Sequence, residues 1–146
     1  FGQIDQEGNV NVSKLDGVTV GPGGFIDIAQ NARKVVFCGT FDAKGAKFET
    51  GHGKLSITRP GQIRKFVEKV DQITFSGKQA RFQNQQVLYV TERAVFRLQE
   101  KELELMEIAP GIDLQKDILD QMHFLPLIPE NLKTMDASIF MDDQNG

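Results

Sequence analysis

The sequence predicts a single α/β domain, and three features of the chain carry that prediction. A glycine-rich loop occupies residues 21–24, and an apolar pattern of helical spacing follows it over residues 24–33. A continuous β-prone run then covers residues 34–41, which is typical of a strand covered on both faces. Loop, helix and strand in this order indicate an α/β sheet, in which ligands collect at loops beyond the carboxyl ends of strands.

The composition sets limits on the class of protein. With 146 residues, of which 40% are hydrophobic and 25% charged, the chain has the size and make-up of one soluble globular domain. A formal net charge of -3 argues against a dedicated nucleic-acid partner, which would require a basic surface. No apolar run approaches the roughly 18 residues of a membrane span, and no leader pattern is present, so the sequence predicts no membrane partner and a cytoplasmic location.

Cysteine and histidine chemistry is sparse. The single cysteine, Cys38, lies in the apolar run over residues 35–38, which predicts a buried strand thiol rather than a nucleophile. His52 and His123 are far apart in sequence and show no ligand spacing with Cys38. We therefore expect no metal site.

The glycine-rich loop has two possible roles. Gly21, Pro22, Gly23 and Gly24 leave a backbone without obstructing side chains, which can present N–H groups to an anion. The same residues also suit a tight turn that binds nothing. The spacing is not that of a dinucleotide fingerprint, because Ile26 stands where a further glycine would be needed.

The remaining elements follow from alternation, turn residues and caps. A helix is expected to begin after Asp113, which can cap it, and to be followed by an extended apolar strap over residues 124–129 and a tail from 130. A turn is expected at 76–78. The predicted hairpin and strands lie at 3–13, 54–58, 62–68, 72–75, 86–91, 94–98 and 103–108.

Two polar residues lie within or between predicted strands. Asn11 interrupts the apolar alternation of the first hairpin, and Glu92 lies at the junction between two strong strands. Taken alone, each is explained better by an outward-facing surface side chain than by a site.

Five ordered motifs together point to a family. They are Gly-x-Gly-Gly-x-x-Asp at 21–27, Val-Val-Phe-Cys-Gly-Thr-Phe at 35–41, Ile-Thr-Phe-Ser-Gly at 73–77, Tyr-Val-Thr-Glu-Arg-Ala-Val-Phe-Arg-Leu at 89–98 and Glu-Ile-Ala-Pro-Gly-Ile-Asp-Leu at 107–114. This set resembles the C-terminal half of family I CoA-transferases, above all the acetate, propionate and acetoacetate enzymes. The resemblance covers residues 1–129, with 130–146 as a C-terminal tail, and implies a three-layer α/β fold with a mostly parallel sheet flanked by helices.

The resemblance also implies a chemistry. Enzymes of this family move CoA between carboxylic acids by a ping-pong route, in which an active-site glutamate becomes a glutamyl-CoA thioester. Coenzyme A would be a substrate, and no metal or permanently bound cofactor would be needed. The implied ligands are acyl-CoA and short-chain carboxylic acids, and the parent enzyme is expected to be a homo-oligomer.

Four residues of this chain match site positions of the family. Gly23 and Gly24 match a loop that supplies an N–H donor to the developing oxyanion. Glu92 matches a supporting carboxylate, and Asn11 matches an amide near it, so the resemblance implies a polar contact between the two side chains.

The family's nucleophile is not matched in this sequence. Its short glutamate motif would lie upstream of the strand that Phe1 continues, and Glu7, followed by Gly8, is only a look-alike within a variable turn. We therefore expect a piece of a longer enzyme, inactive without its nucleophile and its N-terminal half. The competing interpretation is a non-catalytic α/β module that binds an anionic metabolite or serves assembly.

Overall fold

The computed structural model describes residues 1–12, 14–15, 18–19 and 32–141, with the backbone alone described at 14–15 and 18–19. The glycine-rich loop and nearly all of the helix predicted over 24–33 lie outside these residues. The described strands are β1 (Gln3–Asp5), β2 (Val10–Asn11), β3 (Lys14–Leu15), β4 (Val18–Thr19), β5 (Lys34–Cys38), β6 (Asp42–Ala43), β7 (Lys47–Gly51), β8 (Lys54–Arg59), β9 (Ile63–Arg64), β10 (Phe66–Val67), β11 (Gln86–Val90), β12 (Ala94–Leu98), β13 (Leu103–Ile108) and β14 (Lys133–Thr134). The helical segments are α1 (Gly77–Phe82), a π-helical turn (Leu114–Ile118) and two 3₁₀ turns (Leu119–Gln121 and Ala137–Phe140).

The main sheet has five strands in the order β14-β13-β12-β11-β5. The pairs β5–β11 and β13–β14 are parallel, whereas β11–β12 and β12–β13 are antiparallel. Within the described residues the main sheet is therefore mixed, whereas the resemblance implied a mostly parallel sheet. The reason is the length of the connections at 91–93 and 99–102, because such short links can join only antiparallel neighbours.

The two faces of the main sheet differ in burial. Phe37, Tyr89 and Phe96 lie on the face that is packed into the core. On the other face Val36 is 47% exposed, and Cys38 is exposed as well. The prediction of a buried strand thiol is thus wrong: β5 is the last strand of the described sheet, and alternate side chains of a strand point to opposite faces.

Aromatic side chains join the main sheet to a smaller sheet of order β10-β1-β2. Phe66 on β10 stacks on Phe41 with ring centroids 4.9 Å apart and lies 4.8 Å from the ring of Phe96 on β12. Aromatic pairs of this kind contribute about 0.5–1.5 kcal/mol each beyond their buried area. The packing fixes the backbone at Phe41, which lies three residues after the end of β5.

The first part of the chain folds largely as predicted. Strands β1 and β2 form the expected antiparallel hairpin, and β8 covers the strand expected at 54–58. The strand expected at 62–68 is divided into β9 and β10. Residues 72–75 do not form a strand, but an isolated bridge between Phe75 and Val10 and hydrogen bonds of Thr74 to Val10 and Val12 link them to the first hairpin.

Helix α1 replaces the turn expected at 76–78. Ser76 caps it by accepting a hydrogen bond from the backbone N–H of Gln79 at 3.1 Å. The helix has only 6 residues, and its buried residues are the small Gly77 and Ala80. Because the buried residues carry almost no apolar side chain, the sequence contains no helical pattern to detect.

The last segments pack against β13. Asp113 caps the π-helical turn as predicted, since its carboxylate accepts a hydrogen bond from the N–H of Lys116 at 2.7 Å. The strap also lies on the sheet, where Leu127 exchanges backbone hydrogen bonds with β13. Part of the stretch interpreted as a tail continues this packing, because β14 pairs with β13 and Phe140 is buried.

Candidate active site

Glu92 lies just beyond the carboxyl ends of two parallel strands, β5 and β11. Cys38 and Val90, the last residues of these strands, are register partners. The turn after β11 is held by Thr91, whose hydroxyl oxygen accepts hydrogen bonds from the N–H groups of Arg93 and Ala94 at 3.3 and 2.9 Å. Loops at this edge of an α/β sheet are where ligands bind. The fold therefore places the Glu92 carboxylate at the expected edge for a site.

The carboxylate of Glu92 is held from one side. The backbone N–H of Phe41 donates to both of its oxygens, at 3.1 and 3.3 Å. The Nη2 of Arg93 lies 3.3 Å from Oε1. The side chain nevertheless keeps 14% of its surface exposed. It is thus oriented by two donors and still accessible.

Arg93 connects Glu92 to a second carboxylate inside the protein. Its guanidinium is fully buried, lies 3.2 Å from Oδ1 of Asp42 and donates to the carbonyl oxygen of Asp117 at 3.1 Å. The guanidinium carbon also lies 4.7 Å from the ring centroid of Phe41. A buried charge of this kind requires its partners, because removing one of them leaves the other without compensation. Arg93 and Asp42 therefore form a rigid support behind Glu92.

A second cation, Lys65, lies in the same region and is 93% buried, with 7% of its surface exposed. Its Nζ is 3.3 Å from the hydroxyl oxygen of Thr40 and 4.4 Å from the ring centroid of Phe1. Burial lowers the pKa of Lys65, while the negative charges of Glu92 and Asp42 oppose that shift. The ammonium thus lies within electrostatic reach of both carboxylates.

A cavity of about 550 Å³ opens next to Glu92. Its walls are mainly apolar, with Glu92 and two further carboxylates among the lining residues. These residues are Val90, Thr91, Glu92, Val95, Glu107, Met135, Asp136, Ile139 and Phe140. A largely apolar cavity with a few oriented polar groups is the common form of a small-molecule site.

The four residues predicted from the sequence have different outcomes. Glu92 lies at the site described above. Asn11 is fully buried, and its amide donates to Oε1 of Gln3 at 2.8 Å, whereas the donors described for Glu92 are Phe41 and Arg93. The contact between Asn11 and Glu92 therefore stays a prediction. Gly23 and Gly24 lie outside the described residues.

The supporting residues Arg93, Asp42 and Lys65 were not singled out from the sequence. The one signal for Arg93 is its position next to Glu92 within the motif at 89–98. No comparable signal marks Asp42, which lies 51 residues from Arg93 along the chain.

Within residues 1–12 and 32–141, no cluster of three or more histidine, cysteine, aspartate or glutamate side chains is arranged to hold a metal ion. The helices of this described part are too short to cross a membrane.

The Glu92 carboxylate lies at an edge of parallel strands and beside a cavity, which is the arrangement of a candidate small-molecule site. Comparisons with known proteins identify the family. No family model matches the chain. It is 51% identical over 146 residues to the acetate CoA-transferase YdiF of Escherichia coli O157:H7 and 50% identical over 149 residues to the caffeate CoA-transferase of Acetobacterium woodii. The chain spans 28% of the length of each of these relatives.

Solved structures agree with the sequence relatives. The acyl-CoA transferase YdiF from E. coli O157:H7, in a thioester complex with CoA, matches with a TM-score of 0.94 at 51% identity, over 97% of this chain and 28% of that one. Glutaconate CoA-transferase from Acidaminococcus fermentans, at 21% identity and a TM-score of 0.64 over 92% of this chain and 50% of that one, supports the fold alone. The chain belongs to the CoA-transferase family. The resemblance and the α/β class predicted from the sequence are confirmed.

Proposed function

We propose that the protein containing this chain is an acyl-CoA:carboxylate CoA-transferase that acts on short-chain acids through a glutamyl-CoA thioester. The observation that carries the proposal is 51% identity over the whole chain to an acetate CoA-transferase. The supported carboxylate of Glu92, at the carboxyl ends of β5 and β11, is consistent with it.

The proposed reaction has two halves. A glutamate carboxylate attacks the thioester carbonyl of acyl-CoA. The C–S bond breaks, CoA departs as a thiolate, and an acyl-glutamyl anhydride is formed. The thiolate then attacks the glutamyl carbonyl, which releases the first carboxylic acid and leaves glutamyl-CoA. The second acid reverses these steps. Each intermediate conserves the energy that hydrolysis would lose.

In this proposal the nucleophilic glutamate lies upstream of Phe1, and the N-terminal half of the parent helps to bind CoA. Glu92 supports the site, with Asn11 as its neighbour, and the Gly23 and Gly24 amides donate to the developing oxyanion. Residues 1–129 form the catalytic-domain piece and 130–146 its C-terminal extension. The 146-residue chain alone is expected to be inactive, and the parent is expected to be a cytoplasmic homo-oligomer.

The role of Glu92 is tested with Glu92→Gln in the full-length protein. The carboxamide keeps the shape but removes the negative charge, so kcat should fall by on the order of 10²-fold. Thermal unfolding should change little, because Asp42 still compensates the Arg93 guanidinium. Glu100→Gln, at an exposed turn residue, is the matched control and should retain wild-type kcat.

The thioester itself is tested by incubating the full-length protein with acetyl-CoA, trapping with hydroxylamine and locating the modified glutamate by mass spectrometry. A modified glutamate upstream of Phe1 is the expected result. Failure to trap any glutamate in a protein that binds CoA without turnover would support the non-catalytic binding module instead.

A further inference from the structure

We propose that Lys65 binds the carboxylate group of the acid substrate beside Glu92. This inference rests on the proposed function for the identity of the ligand, and on the geometry around Lys65 for the site itself.

The burial of Lys65 is unusual for its residue type. Lys65 has 7% of its surface exposed, which is rare for a lysine that is not held in an ion pair. None of the salt bridges within 4.0 Å among the described residues involves its ammonium. Because a desolvated cation without a close counter-ion is costly, a lysine in this position is a candidate for holding a ligand anion.

The Lys65 ammonium can donate more hydrogen bonds than the described residues accept from it. An ammonium carries three N–H donors, and in the described part of the chain only the Thr40 hydroxyl oxygen, at 3.3 Å, accepts a hydrogen bond from Nζ. The ring of Phe1 covers another side of the cation at 4.4 Å. A ring face attracts the ammonium but does not replace an anionic acceptor. The remaining donor capacity suits an anionic oxygen.

The Lys65 ammonium lies at the same edge of the sheet as Glu92. Thr40 follows β5 and immediately precedes Phe41, whose N–H binds Glu92, so the Lys65 ammonium belongs to the same strand-end edge as the carboxylate. Arg93 contacts Asp42 and Glu92 directly, although its single positive charge balances only one of the two carboxylates. Among the described residues, the Lys65 ammonium is a further cation at this edge, and neither carboxylate lies within 4.0 Å of it.

The test uses Lys65→Met in the full-length protein, with acetate as the probe. Loss of a charge-assisted hydrogen bond should raise the KM and the dissociation constant of acetate by about 10–100-fold. The KM of acetyl-CoA should stay within about twofold, because a thioester carbonyl carries no charge for the ammonium to bind. Lys65→Arg should retain part of the acetate affinity, and Lys69→Met, at an exposed lysine four positions later, should match wild type.

The outcomes separate the two proposals. Acetate binding that weakens in Lys65→Met, measured by ¹³C-acetate NMR titration, supports the inference even if the wild-type protein shows no transferase activity. Wild-type transferase activity together with unchanged acetate affinity in both Lys65→Met and Lys65→Arg overturns the inference and leaves the proposed function intact. Equal changes in both KM values with reduced stability assign Lys65 a structural role and also overturn it.

Discussion

The turn at residues 5–9 and the strand junction at 91–94 each hold a carboxylate between apolar strands, Asp5 in the turn and Glu92 at the junction. In the turn, Oδ1 of Asp5 accepts the N–H groups of Glu7 and Asn9 at 3.1 Å each. Its Oδ2 accepts the Asn9 side-chain amide at 3.1 Å and the Val70 N–H at 3.2 Å. All four described partners are neutral amide N–H groups, so the Asp5 carboxylate stabilises the conformation of the turn.

The Glu92 carboxylate at the junction differs from Asp5 in its donors and in its exposure to solvent. Glu92 receives one backbone N–H and one guanidinium, and it borders a cavity with 14% of its side chain exposed. A structural carboxylate is enclosed by backbone donors, whereas a carboxylate available for chemistry is held from one side and open on the other. The comparison thus separates the accessible carboxylate of Glu92 from the enclosed carboxylate of Asp5 on physical grounds.

Removal of Arg93 should have the largest effect on stability. Arg93→Ala leaves Asp42 and Glu92 without their buried cation, so the free energy of unfolding should fall by roughly 3–5 kcal/mol in urea titration. Arg97→Ala is the control: Arg97 pairs with Glu104 at 2.8 Å, but the two side chains are 46% and 19% exposed. Such a pair is worth at most about 1 kcal/mol. Equal losses in the two variants would remove the support role of Arg93.

A smaller effect is expected at Tyr89, which ties the turn to β11. Its buried hydroxyl donates to the carbonyl oxygen of Gly8 at 2.6 Å. Tyr89→Phe leaves that buried carbonyl with one acceptor position unfilled, and the unfolding free energy should drop by about 1–2 kcal/mol near pH 7. Turnover of the full-length protein should not change, since the hydroxyl contacts the turn and not the junction.

We expect the difference in stability between wild type and Tyr89→Phe to depend on pH. Burial raises the pKa of Tyr89 in the folded state, whereas in the unfolded chain the phenol ionises near its ordinary value of about 10. The stability contributed by the hydroxyl is therefore fully present below about pH 10 and is lost as the pH rises above it. The difference in urea midpoint between wild type and Tyr89→Phe should be constant from pH 7 to 9 and shrink by pH 11. A difference that stays constant from pH 7 to 11 would contradict a raised pKa of Tyr89 in the folded state.

The smallest effect is expected at Glu7. Its exposed side chain accepts one long hydrogen bond from Asn9 at 3.4 Å. Glu7→Gln should change the unfolding free energy by no more than about 0.5 kcal/mol. Transferase turnover should also remain within twofold of wild type, in contrast to Glu92→Gln. A large loss of turnover would return Glu7 to consideration as the nucleophile.

The sequence predicts local features well. The first hairpin, the cap at Asp113 and the position of Glu92 after a strong strand all follow from alternation and turn chemistry within a few residues. The exposure of Cys38 could not be predicted, because an apolar run does not reveal whether its strand has neighbours on both sides.

The support of the site depends on long-range contacts. The N–H that binds Glu92 comes from Phe41, and the carboxylate that compensates Arg93 comes from Asp42, each 51 residues away along the chain. Pattern within a single sequence carries no information on such pairs. The motif at 89–98 indicated that Glu92 matters, but only the folded chain shows what holds it.

Gly61 illustrates how far the site extends for anyone interpreting natural variants of this chain. Its N–H donates to Oδ2 of Asp42 at 2.7 Å, and a β-carbon at this position would lie 2.8 Å from the Asp42 carboxyl carbon and 2.5 Å from the carbonyl oxygen of Ala43. A change to alanine looks conservative in sequence and lies outside the cavity. It would nevertheless displace Asp42, and with it the Arg93 guanidinium that orients Glu92. Variant effects in this domain therefore follow the chain of contacts behind the carboxylate rather than proximity to the cavity.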